Sequence, residues 1–472
     1  VAALLVVVAG AVGGALHDTS VRHPGRWDPR VRGLVAFVER ARGHRFDHPV
    51  SVYFLSPGAY RRASQGGGDV SRPTAAQRRD SELDAAELRA LGMLQGDPNL
   101  LDAGRQLADS GTLAFYDQRR DVVDVRGSTM SVALRVTLVH ELTHALQDQQ
   151  FDIARLLDTH DSERSTAARA VAEGDATAVE NAYVAQLPAS QRNAYEAQSR
   201  AQRDHAEAGL GDVPDVLTTL FGLPYALGSS FVDLIDADPH GTRLDRVDEV
   251  YARMPAATSQ LFDPRDYLDD VAVRRVSAPR WPGRGKQHDV DHLGAGFLFV
   301  MLSERIDPAT AMAAVDGWRG DRYRSVVVDG RSGTSADGRL CVAARIELAT
   351  ARDAAEMRAA LGRWAGSMPA AASAAVRGDS GGTTAVTLRT CDPGKDADVG
   401  LTGHSSDALA YPVVRNELAA GQVGAGLDRG RAICVADAVV PQLTTGDLAA
   451  QELTPDLQAK IQRLVRRAVT NC

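Results

Sequence analysis

The stretch SVALRVTLVHELTHALQDQQF, Ser131 to Phe151, decides how this chain is read. It contains His140-Glu141-Leu142-Thr143-His144, an H-E-x-x-H pattern. Leu138, Val139, Leu142, Ala145 and Leu146 recur at intervals of three and four, the helical period, and no Gly or Pro interrupts the run. Ser128 or Thr129 is the candidate N-cap. On a helix, positions i and i+4 share a face about one turn apart, so His140 and His144 aim two imidazoles at one point. Neutral imidazole nitrogen suits zinc, which prefers a tetrahedral site. Glu141 is rotated partly round the helix, where it can act on a water at the metal without being a ligand.

Such a pair needs a third protein ligand. Residues 161–187, DSERSTAARAVAEGDATAVENAYVAQL, form a second long helical pattern, with Asp161 or Ser162 as its cap. Glu173 lies 29 positions beyond His144 (173 − 144), which is room for a turn and an antiparallel return. Gly174 beside it favours close helix packing, where a solvated Glu would be out of place, so Glu173 is the expected ligand. His160, Glu163 and Glu180 are the alternatives. Asp175 faces away on a regular helix and could orient a ligand His only if Gly174 distorts the turn. Thr177 is better placed for that task.

Upstream, His48 to Ser56 reads as a strand from the alternation of Val50, Val52 and Phe54. Leu113 to Gly127 reads as a hairpin, with Ala114 to Tyr116 going out, a turn over Asp117 to Arg120, and Val122 to Val125 returning. A strand delivered into an H-E-x-x-H helix has a use: its open edge can pair with an extended peptide and lay the scissile bond over the metal.

His140 to Gln149 followed by Glu173-Gly174-Asp175-Ala176 resembles a group of exported bacterial proteins of the gluzincin type. The similarity extends to Leu223-Pro224-Tyr225 with Gly228 and Phe231-Val232, to Asp291 with Leu293-Gly294, and to Gly317 through Tyr323. It implies a zincin fold, zinc held by His140, His144 and Glu173, and peptidase chemistry with Glu141 as the catalytic base. Such proteins carry a His-Pro beyond the segment matching Thr258-Ser259-Gln260, where this chain has Phe262-Asp263-Pro264. The reaction also needs a donor to steady the developing oxyanion. Tyr225, in LPYALG and read as lying at a helix start, is the first candidate. His288 and His292 are the next, and His292 is also a lesser candidate for the metal.

The 472 residues suffice for two or three domains, and the content of 44% hydrophobic and 24% charged residues is that of a globular protein. A net charge of −8 gives no basis for a nucleic-acid partner. The opening VAALLVVVAGAVGGALHD matches the apolar core of a secretion signal or a membrane anchor over residues 1–18. Cys341, Cys391, Cys434 and Cys472 are even in number and contain no C-x-x-C pair, so disulfides are expected in an exported chain. Cys341 and Cys391 lie at strand edges, and a Cys434–Cys472 bridge would clamp a helical hairpin.

The expected architecture is α+β. A zincin-like metallopeptidase domain spans 19–330, a strand–helix–strand extension spans 331–400, and a helical, disulfide-clamped tail spans 401–472. The expected function is that of an extracellular or envelope zinc peptidase acting on protein or peptide substrates, with membrane or cell-wall association. The alternative is a non-catalytic envelope protein that uses the same scaffold for binding or structure.

Overall fold

The computed structural model describes residues 23–64, 73–109, 112–159, 161–211, 213–238, 245–328, 338–378, 384–403, 405–448, 450 and 453–472. The apolar opening at 1–18, His160 and most of the Gly/Ser break at 330–338 lie outside the described residues. Numbering helices of eight residues or more, the order begins α1 (Arg32–Arg42), β1 (Ser51–Leu55), α2 (Pro57–Ser64), α3 (Ala75–Ala90), α4 (Leu100–Asp109), β2 (Ala114–Asp117), β3 (Val122–Arg126) and α5 (Val132–Phe151). Then come α6 (Ser162–Gln186), α7 (Ala189–Gly209), α8 (Asp215–Asp236), α9 (Asp245–Ala252), β4 (Lys286–Asp291), α10 (Gly294–Ser303), α11 (Pro308–Asp316) and β5 (Trp318–Val328). The last are β6 (Arg339–Leu348), α12 (Ala351–Ser367), β7 (Ala375–Gly378), β8 (Ala385–Cys391), α13 (Ala410–Gly424), α14 (Arg429–Val439) and α15 (Pro455–Asn471). The protein is thus α+β, with two sheets set among helices.

The first sheet has the order β1-β3-β2, with β1 parallel and β2 antiparallel to β3. Val50, Val123 and Val125 pack against Leu34, Val35 and Val38 of α1 and against Leu134, Leu138, Leu142 and Leu146 of α5. The apolar spacing read in α5 is therefore the face that lies on this sheet. Ser131 caps the helix, its Oγ accepting from the Leu134 N–H at 3.1 Å, in place of the expected Ser128 or Thr129. Asp161 caps α6 through the N–H groups of Glu163 and Arg164. The segment around Tyr225 is not a helix start: α8 runs unbroken from Asp215, with Pro224 inside it. Proline is favoured in a first turn, but Pro224 lies in the middle of this helix. Burial of Leu217, Leu220, Leu223 and Leu227 carries the helix through it.

The second sheet is antiparallel throughout, with the order β4-β5-β6-β8-β7. Its inner residues Tyr323, Val342, Ala344, Ile346 and Leu388 belong to the same apolar core as Val171 of α6 and Phe231 of α8. A polar junction fixes the two parts. Asp321 accepts from the N–H groups of Leu293 and Gly294 at 2.8 Å each and from Trp318 Nε1 at 3.0 Å. Glu163, at the start of α6, accepts from Thr258 N and Oγ1 at 2.9 and 2.7 Å. Gly294 has φ +79°, and a Cβ there would lie 1.8 Å from the Glu163 carboxylate.

Cys341 faces Cys391 across β6 and β8 and is bonded to it, and Cys434 of α14 is bonded to Cys472. Residues 408–424 are fastened to the rest of the molecule. Arg415, nearly fully buried, pairs with Asp316 at 2.9 Å and bonds the Phe262 carbonyl, and Asn416 donates to the Leu261 carbonyl. Among the described residues, no helix is long and apolar enough to cross a membrane.

Candidate metal centre

α6 runs back along α5 and carries Glu173 to the two imidazoles. What sets its position is glycine on glycine. A Cβ on Gly174 would lie 2.2 Å from the Gly228 carbonyl oxygen of α8, and one on Gly228 only 1.8 Å from the Ala170 carbonyl oxygen. The two helix backbones touch, as only glycine allows. Tyr225 stands three residues before Gly228, on the turn that passes Glu173.

The result is a tight cluster. His140 Nε2 lies 3.2 Å from Glu173 Oε2, His144 Nε2 lies 3.3 Å from the same oxygen, and the two Nε2 atoms are 3.1 Å apart. The rings are splayed at 82°. Bonds of about 2.0–2.1 Å in a tetrahedron give edges of about 3.3–3.4 Å, so these three atoms have the spacing of one tetrahedral face.

The outer nitrogens settle which atoms carry lone pairs. His140 Nδ1 is 3.2 Å from Glu180 Oε2, which can only accept. His144 Nδ1 is 2.9 Å from Gln147 Oε1, whose amide nitrogen is committed to the Ala172 carbonyl and to Asp175 Oδ2. Both Nδ1 atoms therefore carry the hydrogen, and in the neutral rings both Nε2 atoms present lone pairs to each other and to a carboxylate oxygen. These three atoms could hold a metal ion between them, and two imidazoles with a carboxylate are donors that zinc, among other transition metals, accepts.

The electrostatics favour positive charge at the same place, on the imidazoles themselves. Burial alone would raise the Glu173 carboxyl, but the imidazoles outweigh it and hold it below the usual carboxylate range. Burial would lower both histidines, yet the Glu173 and Glu180 carboxylates lift His140 well above its ordinary value, and Glu173 lifts His144. Burial raises the Glu141 carboxyl despite the imidazoles beside it. The Glu173 charge, together with burial, keeps the Tyr225 phenol protonated far above its usual range. The Tyr225 ring is 39% exposed, while its hydroxyl end bears on Glu173.

His140, His144, Glu173, Glu141 and Tyr225 thus come together. His288 and His292 do not join them. His288 bonds Asp84 at 3.1 Å, and His292 sits 3.8 Å from Asp161, twelve residues before Glu173, or about 18 Å along a helix. Glu163 is held at the polar junction, so it is no ligand. Glu180, weighed above as a ligand, instead orients His140, and the orienting role expected of Thr177 falls to Glu180 and Gln147. Asp175 enters one bond further out without any distortion of α6. Fully buried, it pairs with Arg42 Nε at 2.9 Å and holds Gln147. Gln147 stands at i+3 from His144 and Glu180 at i+7 from Glu173, so helical spacing alone could have signalled both.

Residues 281–401 match a family described as a domain of unknown function, DUF8575. That is about a quarter of the chain, and the cluster on α5, α6 and α8 lies outside it. No curated protein and no solved structure matches.

Proposed function

We propose that this protein is a zinc-dependent peptidase of the zincin type, exported to the cell envelope or beyond. The observation that carries this is the triangle of His140 Nε2, His144 Nε2 and Glu173 Oε2 on two packed helices, with Glu141 beside it. Zinc bound there supplies Lewis acidity towards a water and a carbonyl oxygen. Glu141, buried and with a raised pKa, is suited to take a proton from the attacking water and hand it to the leaving amine. Tyr225, kept as a neutral phenol, is the donor for the developing oxyanion. β2 is the edge strand of the first sheet, and its outer side turns to α5: the Tyr116 N–H donates to Glu141 Oε2 at 2.8 Å. A protein or peptide substrate extended along β2 would bring a peptide bond beside Glu141. The two disulfides fit an oxidising compartment and support export, with membrane or cell-wall association as part of the reading.

The same hydrogen bond favours a second reading. One Glu141 oxygen is already occupied by the strand, as expected of a non-catalytic envelope protein that keeps the scaffold for binding or structure. Digestion of a peptide library by the zinc-loaded protein separates the two. The peptidase reading expects cleavage that falls by about 10²–10⁴ in Glu141→Gln while zinc stays bound. Zinc binding without any cleavage by the wild type leaves the second reading standing.

A further inference from the structure

We propose that His23, His48 and Asp121 form a second site for a divalent cation of the zinc type, which pins the chain ahead of α1 to the β2–β3 hairpin. One ligand atom from each residue lies within 4.8 Å of the others. His23 Nδ1 is 3.0 Å and His48 Nδ1 3.6 Å from Asp121 Oδ2. The site stands apart from the cluster on α5 and α6 and does not depend on the peptidase reading.

Asp121 is the centre of the argument. It sits in the hairpin turn with φ +49° and is 7% exposed. Its Oδ1 accepts from the Tyr116 hydroxyl at 2.8 Å. Its Oδ2 is buried with no hydrogen bond among the described residues and has the two imidazole nitrogens as its near neighbours. A buried carboxylate oxygen that accepts no hydrogen bond is better satisfied by a cation.

The His48 tautomer supplies the second half. Gln149 Oε1 accepts from the N–H groups of Asp47 and His48 at 2.8 and 3.4 Å, which fixes the direction of its amide. Gln149 Nε2 then faces the His48 carbonyl at 3.1 Å and His48 Nδ1 at 3.3 Å. The amide donor at 3.3 Å is nearer to Nδ1 than the Pro49 carbonyl at 3.5 Å, and it favours the tautomer with a lone pair on this nitrogen. In that tautomer the His48 Nδ1 lone pair and the Asp121 Oδ2 atom face one another 3.6 Å apart, with His23 Nδ1 3.0 Å from the same oxygen.

Two imidazoles and one carboxylate suit zinc rather than calcium or magnesium, which take oxygen. The His23 and His48 rings are stacked, with centroids 3.6 Å apart and an interplanar angle of 26°. Binding requires the stack to open, and the His23 side chain, 37% exposed, has the room to turn. The hairpin links the site to Glu141. Tyr116, whose hydroxyl reaches Asp121 and Asp148 of α5, is the residue whose N–H holds Glu141. An ion here stiffens the strand on which Glu141 leans.

The test is metal content per chain. The full-length protein is stripped with a chelator, reloaded with zinc, freed of excess metal and assayed by mass spectrometry. The wild type is expected to hold about two ions, and His140→Ala/His144→Ala and His23→Ala/His48→Ala about one each. Asp121→Asn, nearly isosteric and therefore safe for folding, is also expected to hold about one. Cobalt loaded into His140→Ala/His144→Ala should give visible absorption that is lost when Asp121→Asn is added. The proposal is overturned if His140→Ala/His144→Ala holds no zinc while the wild type holds one, or if His23→Ala/His48→Ala holds as much as the wild type. The first of these results leaves the centre on α5 and α6 intact.

Discussion

Replacing Gly228 by alanine sets two effects of opposite sign against each other. Helix propensity favours alanine over glycine by about 1 kcal/mol in a helix interior. The contact with α6 opposes it. A Cβ at 228 would stand 1.8 Å from the Ala170 carbonyl oxygen, about 1.5 Å inside an ordinary C···O contact of about 3.3 Å. The neighbour is backbone, so no side chain can rotate away, and the helices must separate. Overpacking in a close-packed interior costs about 1–3 kcal/mol, and this overlap belongs at the upper end. The net expectation is a loss of about 2 kcal/mol. The same separation shifts Tyr225 against Glu173, and a misplacement of about 1 Å in a catalytic site costs about 10²-fold in rate. Urea unfolding of chelator-stripped protein measures the stability term free of bound metal. Gly222→Ala is the control: it lies on the same helix with nothing within 4 Å of its Cβ position, so it should gain up to about 1 kcal/mol. If Gly228→Ala proves as stable as Gly222→Ala, the backbone contact does not set the spacing of α6 and α8, and the account of how Glu173 is delivered fails.

Other outcomes follow from single contacts. Glu180→Ala removes the partner of His140 Nδ1 and should weaken zinc binding about 10–100-fold in a chelator competition, with the fold intact by circular dichroism. An unchanged affinity would remove Glu180 from the centre. Burial, against the hydrogen bonds from Thr258, lifts the Glu163 carboxyl to about 8. Because the folded value exceeds the unfolded one, its contribution to stability is full below about pH 4.5 and is lost as pH rises through about 8, at up to about 1.4 kcal/mol per unit. Glu163→Gln should therefore lose less stability than the wild type between pH 5 and 8 in urea titrations, and equal losses would refute the assignment. The Cys434–Cys472 bridge closes a separation of 38 residues, worth about 4 kcal/mol by loop entropy. Cys434→Ser/Cys472→Ser should release α15 to limited proteolysis while the α5–α8 region stays resistant.

Local order was legible wherever short-range physics decides it. The α5 periodicity, the β2–β3 hairpin and the pairing of Glu173 with a packing glycine follow from spacing and residue size. The course of α8 through Pro224 was not, because burial of its leucines outweighs the usual first-turn preference for proline, and the Ser131 cap was not, because Ser128, Thr129 and Ser131 are all capable of the bond. The partners of the ligand histidines depend on how two helices cross. Gln147 and Glu180 stood at readable intervals, but only the crossing of α5 and α6 shows which nitrogen each one meets. Asp175 faces away from the imidazoles and touches the centre only through Gln147, while Arg42 pairs with it from α1. The junction of Glu163, Gly294 and Asp321 joins residues some 30 to 160 positions apart, beyond any local pattern.

That junction bears on where the chain can be cut. The segment that matches a recognised family, 281–401, shares one apolar core with α6 and α8, and its strand β6 packs on α3, where the Tyr323 hydroxyl donates to Glu87. Its Gly294 is shaped to receive a carboxylate from residue 163, which lies outside it. A fragment trimmed to the family limits would be left with an open flank and a tendency to aggregate. Recombinant boundaries are better placed outside α1 and α15 than at the edges of sequence similarity.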